Sequence, residues 1–289
     1  MPEGDSIHRI ANRLAPRLVG KTLVRATTQG LERDLVGKRI ESVVSHGKHL
    51  VIELADPAHP QRAVTVRAHL GMYGRQRSYT RAEGEATIAR MSPGKLTLVL
   101  VTDEYIEAWI GARTIEVAQR RAPMRGAAVA RLGPDLLKDD FDAVVAAERA
   151  VTRMAGTRET LADAMLDQKI AAGIGNVYKS EVAFVCGHDP RMPAAALSQA
   201  QYEEIFTVAR DLLLRNLGTG PRITRDREAG DRPGDDRYFV YGRGGKPCRT
   251  CKTNIECYSL GEPPRWTWSC PRCQVRPPEP TGTASGAGS

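Results

Sequence analysis

The sequence lacks the features of membrane, secreted and disulfide-rich proteins. No apolar run approaches the roughly 20 residues that a membrane-spanning helix needs, and the charged start MPEGDSIHRIANRL does not resemble a secretory signal. Only six of the 289 residues are cysteine, and a single one precedes residue 248, which excludes a disulfide scaffold for most of the chain. Because hydrophobic residues make up 41% of the sequence, we expect buried cores. The length predicts about two domains, and the lack of a secretory signal predicts a cytoplasmic protein.

Acidic residues are outnumbered by basic ones. The chain has 42 lysine and arginine residues against 34 aspartate and glutamate residues, which gives a formal net charge of +8. A basic surplus favours an anionic partner, most often a nucleic acid. Many soluble proteins are mildly basic, so the charge alone does not identify the partner.

The hydrophobic pattern changes from helical to strand-like early in the chain. Apolar side chains in residues 6–18 recur at helical spacing, with Asp5 as the predicted N-cap. From residue 21 to about 118, short β-branched runs alternate with turn residues, which is typical of an antiparallel sandwich or barrel. The runs are TLVRATT, RIESVVSH, HLVIEL, AVTVRAHL, KLTLVLV and YIEAWI. We therefore expect residues 1–118 to form one domain.

The second half of the sequence predicts helices followed by a small cysteine-containing module. Residues 119–134 have the composition of a hinge linker, and residues 135–237 are mainly helical in pattern. The Gly/Pro-rich stretch at 218–237 predicts a mobile loop. A compact hairpin is predicted for residues 238–276, and the polar tail at 277–289 is expected to be disordered.

Four cysteines have the spacing of a structural zinc site. Cys248 and Cys251 form one CxxC pair, and Cys270 and Cys273 form a second pair 18 residues later. Each pair can direct two thiolates at one tetrahedral ion. The alternative is two disulfides, which a chain without a secretory signal disfavours. We expect one structural zinc ion. The two other cysteines are expected to be small packed residues: Cys186 and Cys257.

A glycine-containing turn joins two predicted helices in LADAMLDQKIAAGIGNVYKSEVAF, residues 161–184. Gly173 and Gly175 permit a sharp turn, and Asn176 is the predicted N-cap of the helix that begins at Val177. The free N–H groups at such a helix start can bind an anion, and in a basic chain a phosphate is the obvious candidate. An ordinary capped helical hairpin has the same pattern, so the motif is only moderately specific.

The dipeptide Pro2-Glu3 permits a specific chemistry. Removal of Met1, which a small second residue normally allows, would expose a secondary amine at Pro2. Such an amine can form an iminium with an aldehyde, and Glu3 beside it could move protons. Alternatively, the dipeptide simply begins a helix, where proline and acidic residues are favoured. The dipeptide alone favours this second interpretation.

Taken together, these segments resemble the formamidopyrimidine-DNA glycosylase and endonuclease VIII family of base-excision repair enzymes. The resemblance runs from Met1 to about Gln274 and follows the family's order of motifs: MPEGD, SHGKHLVIEL, HLGMYG, LGPDLL, LDQKIAAGIGNVYKSE, YGRGGKPC and RWTWSCPRCQ. It implies an α+β multidomain fold with an N-terminal helix on an antiparallel β-sandwich, a helical domain with a helix–two-turn–helix motif, and a C-terminal zinc-finger hairpin. It also implies a monomer that binds damaged DNA between its halves, at the nucleoid of a bacterial cell, with no membrane partner.

The resemblance assigns roles to individual residues. Pro2, once the initiator is removed, corresponds to the nucleophile that displaces the damaged base and forms a Schiff base, and Glu3 corresponds to the general acid/base. Lys48, Asn176 and Arg265 correspond to residues that bind the DNA phosphate beside the flipped nucleotide. The expected catalytic residues are therefore Pro2, Glu3, Lys48 and Arg265, and Asn176 is expected to bind DNA. Without the resemblance, Lys48 would be interpreted as an exposed strand lysine, and Arg265 as packing on a nearby tryptophan.

The residues that fill the space of the flipped nucleotide are also implied by the resemblance. Met72 in LGMYG corresponds to one such wedge, and its unbranched apolar side chain suits insertion between bases. In GARTI, Arg113 stands where the formamidopyrimidine branch has an arginine, but Ile115 replaces that branch's phenylalanine. This departure puts the opposite-base preference in doubt. MPEGD favours the endonuclease VIII branch and oxidised pyrimidines, whereas HLGM favours the other branch.

Three functions are compatible with parts of the sequence. The resemblance favours a bifunctional DNA glycosylase with AP-lyase activity. A non-catalytic or abasic-site-specific DNA-binding paralogue would keep the scaffold but lose the amine, the acid/base or the phosphate-binding residues, all of which are present. A zinc-ribbon module that binds RNA or protein would leave residues 1–118 without a role.

Overall fold

The computed structural model describes residues 2–119, 129–230 and 237–275. Its first element, helix α1 (Gly4–Leu18), has Glu3 rather than the predicted Asp5 at its N-cap. The apolar stripe expected from the sequence is buried against the first β-sheet and consists of Ile7, Ala11, Leu14 and Leu18. Helix α1 therefore anchors the N-terminal segment to the domain that follows.

Nine strands form two antiparallel sheets within the described residues up to 119. The strands are β1 (Arg25–Thr28), β2 (Leu31–Glu32), β3 (Arg39–His46), β4 (His49–Ala55), β5 (Val64–His69), β6 (Arg75–Thr80), β7 (Leu96–Val101), β8 (Tyr105–Ile110) and β9 (Thr114–Gln119). One sheet has the order β3-β4-β5-β9, and the other has the order β2-β1-β7-β8-β6. Each predicted run contains an observed strand, so the expected antiparallel sandwich is confirmed.

Strand β6 and the helix after it were not predicted. Strand β6 lies at the edge of its sheet, so its sequence RQRSYT carries polar side chains and lacks the apolar alternation of a central strand. Helix α2 (Arg81–Ala89) begins with a capping box in which Thr80 and Glu83 bond each other's backbone N–H groups. Its weak amphipathic pattern gave no signal, because only Gly84 of this helix is buried.

The second half of the molecule is helical, as expected. Its helices are α3 (Ala143–Met154), α4 (Leu161–Leu166), α5 (Asn176–Val185) and α6 (Gln199–Leu214). Helices α4 and α5 are joined by the predicted glycine turn. A single apolar cluster, which includes Tyr178, Tyr202 and Phe206, fills the space between these helices. In α5 the residues from Asn176 to Phe184 are all buried, so this helix forms the centre of the domain.

A two-stranded hairpin, β10 (Glu256–Leu260) and β11 (Arg265–Ser269), follows within the predicted range 238–276. Its small core combines two of the clustered cysteines with Phe184, Val240 and Ile255. Strand β11 packs against helix α5, so the hairpin is attached to the helical domain.

Two predictions about irregular segments have different outcomes. Residues 222, 224 and 225, in the stretch predicted to be a mobile loop, are buried. The buried carboxylates of Asp5 and Glu181 bind the first two of these residues. The predicted linker and tail lie largely outside the described residues, so the domain boundaries stay predictions. No helix in the described part of the chain is long and apolar enough to cross a membrane.

Candidate active site and nucleic-acid interface

The carboxylate of Glu3 is bound by the first turn of helix α5. Its two oxygens accept the backbone N–H groups of Gly175 (2.9 Å), Val177 (2.8 Å) and Tyr178 (3.4 Å), and its side chain is completely buried. Glu3 therefore caps a helix that lies more than 170 residues away in the sequence. The helix start was expected to bind a phosphate, but a carboxylate of the chain itself takes these donors.

Glycines permit the close approach of the two halves. A Cβ atom at Gly175 would lie 2.4 Å from Cδ of Glu3, and one at Gly4 would lie 2.9 Å from Cα of Gly173. Gly4 donates its N–H to the carbonyl of Gly173 (3.0 Å). Gly173 has φ +128°, as its predicted role in a sharp turn requires. Gly175, by contrast, has an extended backbone, and is required because Glu3 occupies the space of its side chain.

A buried ion pair joins Asp5, two residues after Glu3, to Arg222. Arg222 donates from Nε to Asp5 (2.9 Å) and from Nη2 to the other carboxylate oxygen (2.5 Å). Its third nitrogen lies 3.8 Å from Oε1 of Glu3. Sequence reasoning missed Arg222, since nothing in its local pattern indicates a partner 217 residues away. Asp5 was interpreted as a helix cap, and it is instead a partner of this arginine.

Two cations of the predicted phosphate site face the same region. Lys48 lies on the tight turn between β3 and β4, and Arg265 opens strand β11. Burial lowers the pKa of Lys48 to about 8, the Glu3 carboxylate raises it, and the charge of Arg265 lowers it further. Among the described residues, neither cation has a hydrogen-bond or ion-pair partner. A pair of half-buried, mutually repelling cations favours the binding of an anion between them.

The turn that carries Lys48 is docked on the helical domain. Gly47 donates its N–H to Oδ2 of Asp135 (2.9 Å), and a Cβ atom at Gly47 would lie 2.8 Å from Cβ of Ala172. The glycine turn that begins α5 therefore contacts both the Glu3 segment and the Lys48 turn. This contact brings residues from distant parts of the sequence to one site.

Asn176 joins this site, but not as an N-cap. Gly175 is the N-cap of α5, and Asn176 is the first helical residue. Its side chain is buried, where Nδ2 donates to the carbonyl of Trp266 (2.9 Å) and Oδ1 accepts from Nζ of Lys179 (2.8 Å). The predicted phosphate-binding residues Asn176 and Arg265 are thus on neighbouring elements that bond each other directly.

Pro2 lines a basic cleft of about 730 Å³ between the two halves. This volume is in the range of about 300–1,000 Å³ typical of ligand pockets. One wall is the cleft face of α1 and strand β6, with four arginines, and the other is the segment 217–219 after α6. The arginines are Arg9, Arg13, Arg75 and Arg77. The cleft therefore places the predicted nucleophile beside a space that can hold an anionic ligand.

A histidine pair beside Lys48 was not predicted. His49 and His69 are direct cross-strand partners in β4 and β5, with ring centroids 4.9 Å apart. Burial and the charge of Lys48 lower the pKa of His69 to about 4, so its ring is neutral. Its Nδ1 accepts the N–H of Gly71 (3.2 Å), which leaves Nε2–H as a donor. The sequence signal for this pair was the dipeptide His-Leu, which occurs at the start of β4 and again at the end of β5.

The three predicted wedge residues occupy two different environments. Met72 is half exposed on the turn after β5, and Arg113 is exposed on the turn before β9. The two turns touch, because a Cβ atom at Gly71 would lie 2.9 Å from Cβ of Arg113. Ile115 instead pairs with Ala68 in the sheet and packs against the sandwich core. The geometry thus favours Met72 and Arg113, rather than Ile115, for contact with DNA.

The four cysteines of the two CxxC pairs converge as predicted. Their sulfur atoms all lie within 4.8 Å of one another, with Sγ–Sγ distances of 3.4 Å for Cys251 and Cys270 and 3.9 Å for Cys248 and Cys273. None of them is in a disulfide. Of the remaining cysteines, Cys186 packs against the helical core as expected, whereas Cys257 is exposed. It lies beside Gly244, where an added Cβ atom would come within 2.7 Å of Cβ of Cys257.

Comparison with known proteins identifies related sequences over nearly the whole chain. The formamidopyrimidine-DNA glycosylase N-terminal domain matches residues 1–108, and the H2TH domain of the same glycosylases matches residues 132–228. The DNA-(apurinic or apyrimidinic site) lyase Nei2 of Mycolicibacterium smegmatis is 36% identical, covering 95% of this chain and 99% of its own length. Endonuclease 8 2 of Mycobacterium tuberculosis is 34% identical, covering 95% of this chain and 100% of its own.

The fold is similar to that of solved structures of DNA glycosylases. The Lactococcus lactis formamidopyrimidine DNA glycosylase, bound non-covalently to DNA containing an AP site, has a TM-score of 0.73 to this chain at 20% identity. The match covers 95% of this chain and 100% of that one. At this identity the similarity supports the fold.

The packing of Glu3 on Gly175 generates a stability prediction. Gly175→Ala should lower the free energy of unfolding by about 1–3 kcal/mol, because its methyl group would displace the Glu3 carboxylate from the helix start. Gly94→Ala is the matched control, since a Cβ atom there meets no other atom within 4 Å, and its effect should stay within about 0.5 kcal/mol. Urea denaturation of both variants measures this, and equal stabilities would contradict the geometry at Gly175.

Proposed function

The chain belongs to the formamidopyrimidine-DNA glycosylase and endonuclease VIII family, on its endonuclease VIII side, and we propose that it removes oxidised pyrimidines from DNA and then cleaves the strand at the abasic site. It is a glycosylase and AP lyase of base-excision repair. The observation that carries this proposal is the position of Pro2 in the basic cleft, next to the buried carboxylate of Glu3. The bacterial origin of its relatives is consistent with action at the nucleoid, and we propose that the protein acts there as a monomer.

The N-terminal amine of Pro2 would carry out the covalent chemistry once Met1 is removed. The amine attacks C1′ of the damaged nucleotide, and the bond to the base breaks, with its electrons leaving on the base. The proton lost by the amine passes to Glu3 and then to O4′ as the sugar ring opens, which leaves an iminium at C1′. Water then accepts a proton from C2′, and the C3′–O bond breaks, with its electrons leaving on the 3′ phosphate. Water adds to C1′ of the iminium, and the C1′–N bond breaks, which regenerates the amine of Pro2 and leaves an aldehyde on the cleaved strand.

Lys48, Asn176 and Arg265 would hold the phosphate beside the flipped nucleotide. Lys48 and Arg265 supply charge, and Asn176 supplies a neutral hydrogen bond from its amide. The absence of a partner for either cation among the described residues supports this assignment. The neutral Nε2–H of His69 is a further donor beside Lys48. Met72 and Arg113 would enter the space that the nucleotide vacates.

The cysteine cluster would bind one structural zinc ion. Tetrahedral coordination with Zn–S bonds of about 2.3 Å places sulfur atoms about 3.8 Å apart, and the observed distances of 3.4 and 3.9 Å fit this geometry. Four thiolates leave no open position for a substrate, so the ion would stabilise the hairpin rather than take part in catalysis. Its role would be to hold the strand that presents Arg265.

Borohydride trapping tests the covalent mechanism and the substrate class together. The protein is incubated with borohydride and duplexes that carry an abasic site, thymine glycol or 8-oxoguanine. We expect reduced protein–DNA adducts on the abasic and thymine glycol duplexes, and weaker trapping on 8-oxoguanine. Pro2→Gly should trap roughly tenfold or more slowly, because it removes the secondary amine.

The intact mass of the protein must first show that Met1 is absent, since a retained Met1 would block the amine. DNA binding by Pro2→Gly should stay close to wild type. Trapping of this variant at the wild-type rate would exclude Pro2 as the nucleophile. Binding without any trapping by the processed wild-type protein would instead favour a non-catalytic DNA-binding paralogue.

Metal analysis tests the zinc site. We expect one zinc ion per chain, lost in Cys251→Ser together with DNA affinity, because the hairpin would no longer present Arg265. The sandwich should remain folded, since its core is separate from that of the hairpin. Cys257→Ser is the matched control and should retain zinc, because Cys257 is outside the cluster. A metal-free native protein, or zinc retained in Cys251→Ser, would refute the site.

The salt dependence of DNA binding separates the charged from the neutral phosphate contacts. Arg265→Ala should weaken binding and reduce the log–log salt slope by about 0.9, because one fewer counterion is released. Asn176→Ala should weaken binding with little change in slope. Lys21→Ala is the control, since Lys21 is exposed, pairs with Glu104 and follows the end of α1 opposite Pro2. A wild-type slope for Arg265→Ala would remove this residue from the phosphate site.

A further inference from the structure

Lys179, in the second turn of helix α5, is a buried lysine that the proposed chemistry does not use. Its side chain is fully excluded from solvent. Its ammonium has three N–H donors, and three oxygens accept from it: Oδ1 of Asn176 (2.8 Å), Oγ1 of Thr267 (2.7 Å) and the carbonyl of Trp266 (3.3 Å). All the donors are therefore satisfied within the protein, and Lys179 has none left for a ligand.

None of these three acceptors is charged. Burial lowers the pKa of Lys179 to about 7, and the charge of Arg265 lowers it further, while Asp163 and Glu3 raise it. A buried ammonium bonded to three neutral oxygens is an expensive way to connect a helix to a hairpin. Thus a purely structural explanation for a lysine at this position is weak.

The first effect of Lys179 is on the orientation of Asn176. The ammonium form of Lys179 can only donate, so the amide atom that faces it is the oxygen. Nδ2 of Asn176 thereby donates one hydrogen to the carbonyl of Trp266 (2.9 Å). Its second hydrogen bonds the hydroxyl of Tyr241, and a phosphate oxygen would accept this hydrogen in place of that hydroxyl. Only Nδ2 can donate to a phosphate, since Oδ1 would repel it. A rotated amide would therefore abolish this contact.

The second effect is on the strand that carries Arg265. Lys179 binds this strand at the two following residues, Trp266 and Thr267. The hydroxyl of Thr267 in turn donates to the carbonyl of Arg265 (3.2 Å). One side chain thus fixes the backbone of Arg265 relative to the helix that carries Asn176.

We propose that Lys179 is a positioning residue of the phosphate site, which orients the amide of Asn176 and holds the Arg265 strand against helix α5 without contacting DNA. This inference rests on the proposed phosphate contacts of Asn176 and Arg265. It adds a residue that acts through both of them.

The experiment compares Lys179→Gln with wild type on abasic duplex DNA. We expect KM to rise roughly tenfold, as for the loss of a buried hydrogen-bonding partner, and kcat to change by less than about twofold, because the Pro2 and Glu3 geometry is untouched. Lys21→Gln, at an exposed remote site, should match wild type in both. A Lys179→Gln variant that folds and has wild-type KM overturns the proposal, as does one whose kcat falls with KM unchanged.

A double-mutant cycle tests whether Lys179 acts through Asn176. Affinity is measured for a duplex with an uncleavable tetrahydrofuran site, using Lys179→Gln, Asn176→Ala and the double variant. We expect the double variant to bind more tightly than the product of the single losses predicts, because both substitutions disrupt one contact. Independent, multiplicative losses would overturn the proposal. These affinities are informative even if no strand cleavage occurs, so failure of the proposed enzyme function is distinguished from failure of this inference.

Thr267→Val provides a second test if Lys179→Gln does not fold. It removes one acceptor of Lys179 with little change in side-chain volume, and Thr267 is buried away from solvent. We expect a smaller rise in KM in the same direction, with kcat retained. Wild-type KM in a folded Thr267→Val protein would contradict the proposed connection to the Arg265 strand.

Discussion

The contact between the Glu3 carboxylate and the first turn of α5 is the interaction on which the site depends. A carboxylate without solvent is costly unless donors replace its water, and the start of a helix supplies N–H groups that nothing else in the helix can use. Three of these groups bind Glu3. Each partner thus satisfies the other, and neither could be buried alone. Because Pro2 is the preceding residue, the same contact fixes the position of Pro2 at the cleft.

Two cations of the site, unlike Glu3, have no partner of opposite charge among the described residues. Arg222 is fully engaged by Asp5 and lies close to Glu3, whereas Lys48 and Arg265 repel each other across a half-buried space. Burial lowers the pKa of Lys48, and the charge of Arg265 lowers it further. A protein selected only for stability would pair or expose these charges. The arrangement is explained if a phosphate completes it, since the same desolvation that disfavours the isolated cations strengthens their attraction to an anion.

Much of the fold and part of the site could be predicted, because their signals are local. The apolar stripe of α1, the alternation of the central strands and the spacing of the CxxC pairs each lie within a few residues of sequence. Asn176 was misassigned as a helix cap because the true capping carboxylate, Glu3, comes from the other end of the chain. Arg222 and Lys179 were missed for the same reason: their partners are about 90 to 220 residues distant, and no periodicity records such a contact. The resemblance to a family supplied the site that the residues alone left open.

Helix α5 explains why these long-range contacts occur together. It is buried from Asn176 to Phe184, and a helix in that position needs partners within the protein for the charged and amide side chains that it carries. Asn176 and Lys179 bind the hairpin, while Glu181 accepts N–H groups from Phe239, Val240 and Tyr241 at the approach to the cysteine cluster. The first turn of the same helix holds both Glu3 and Asn176. The separation between the proposed acid/base and the proposed phosphate-binding amide is therefore set by the backbone of one helical turn, and not by the looser packing of two domains.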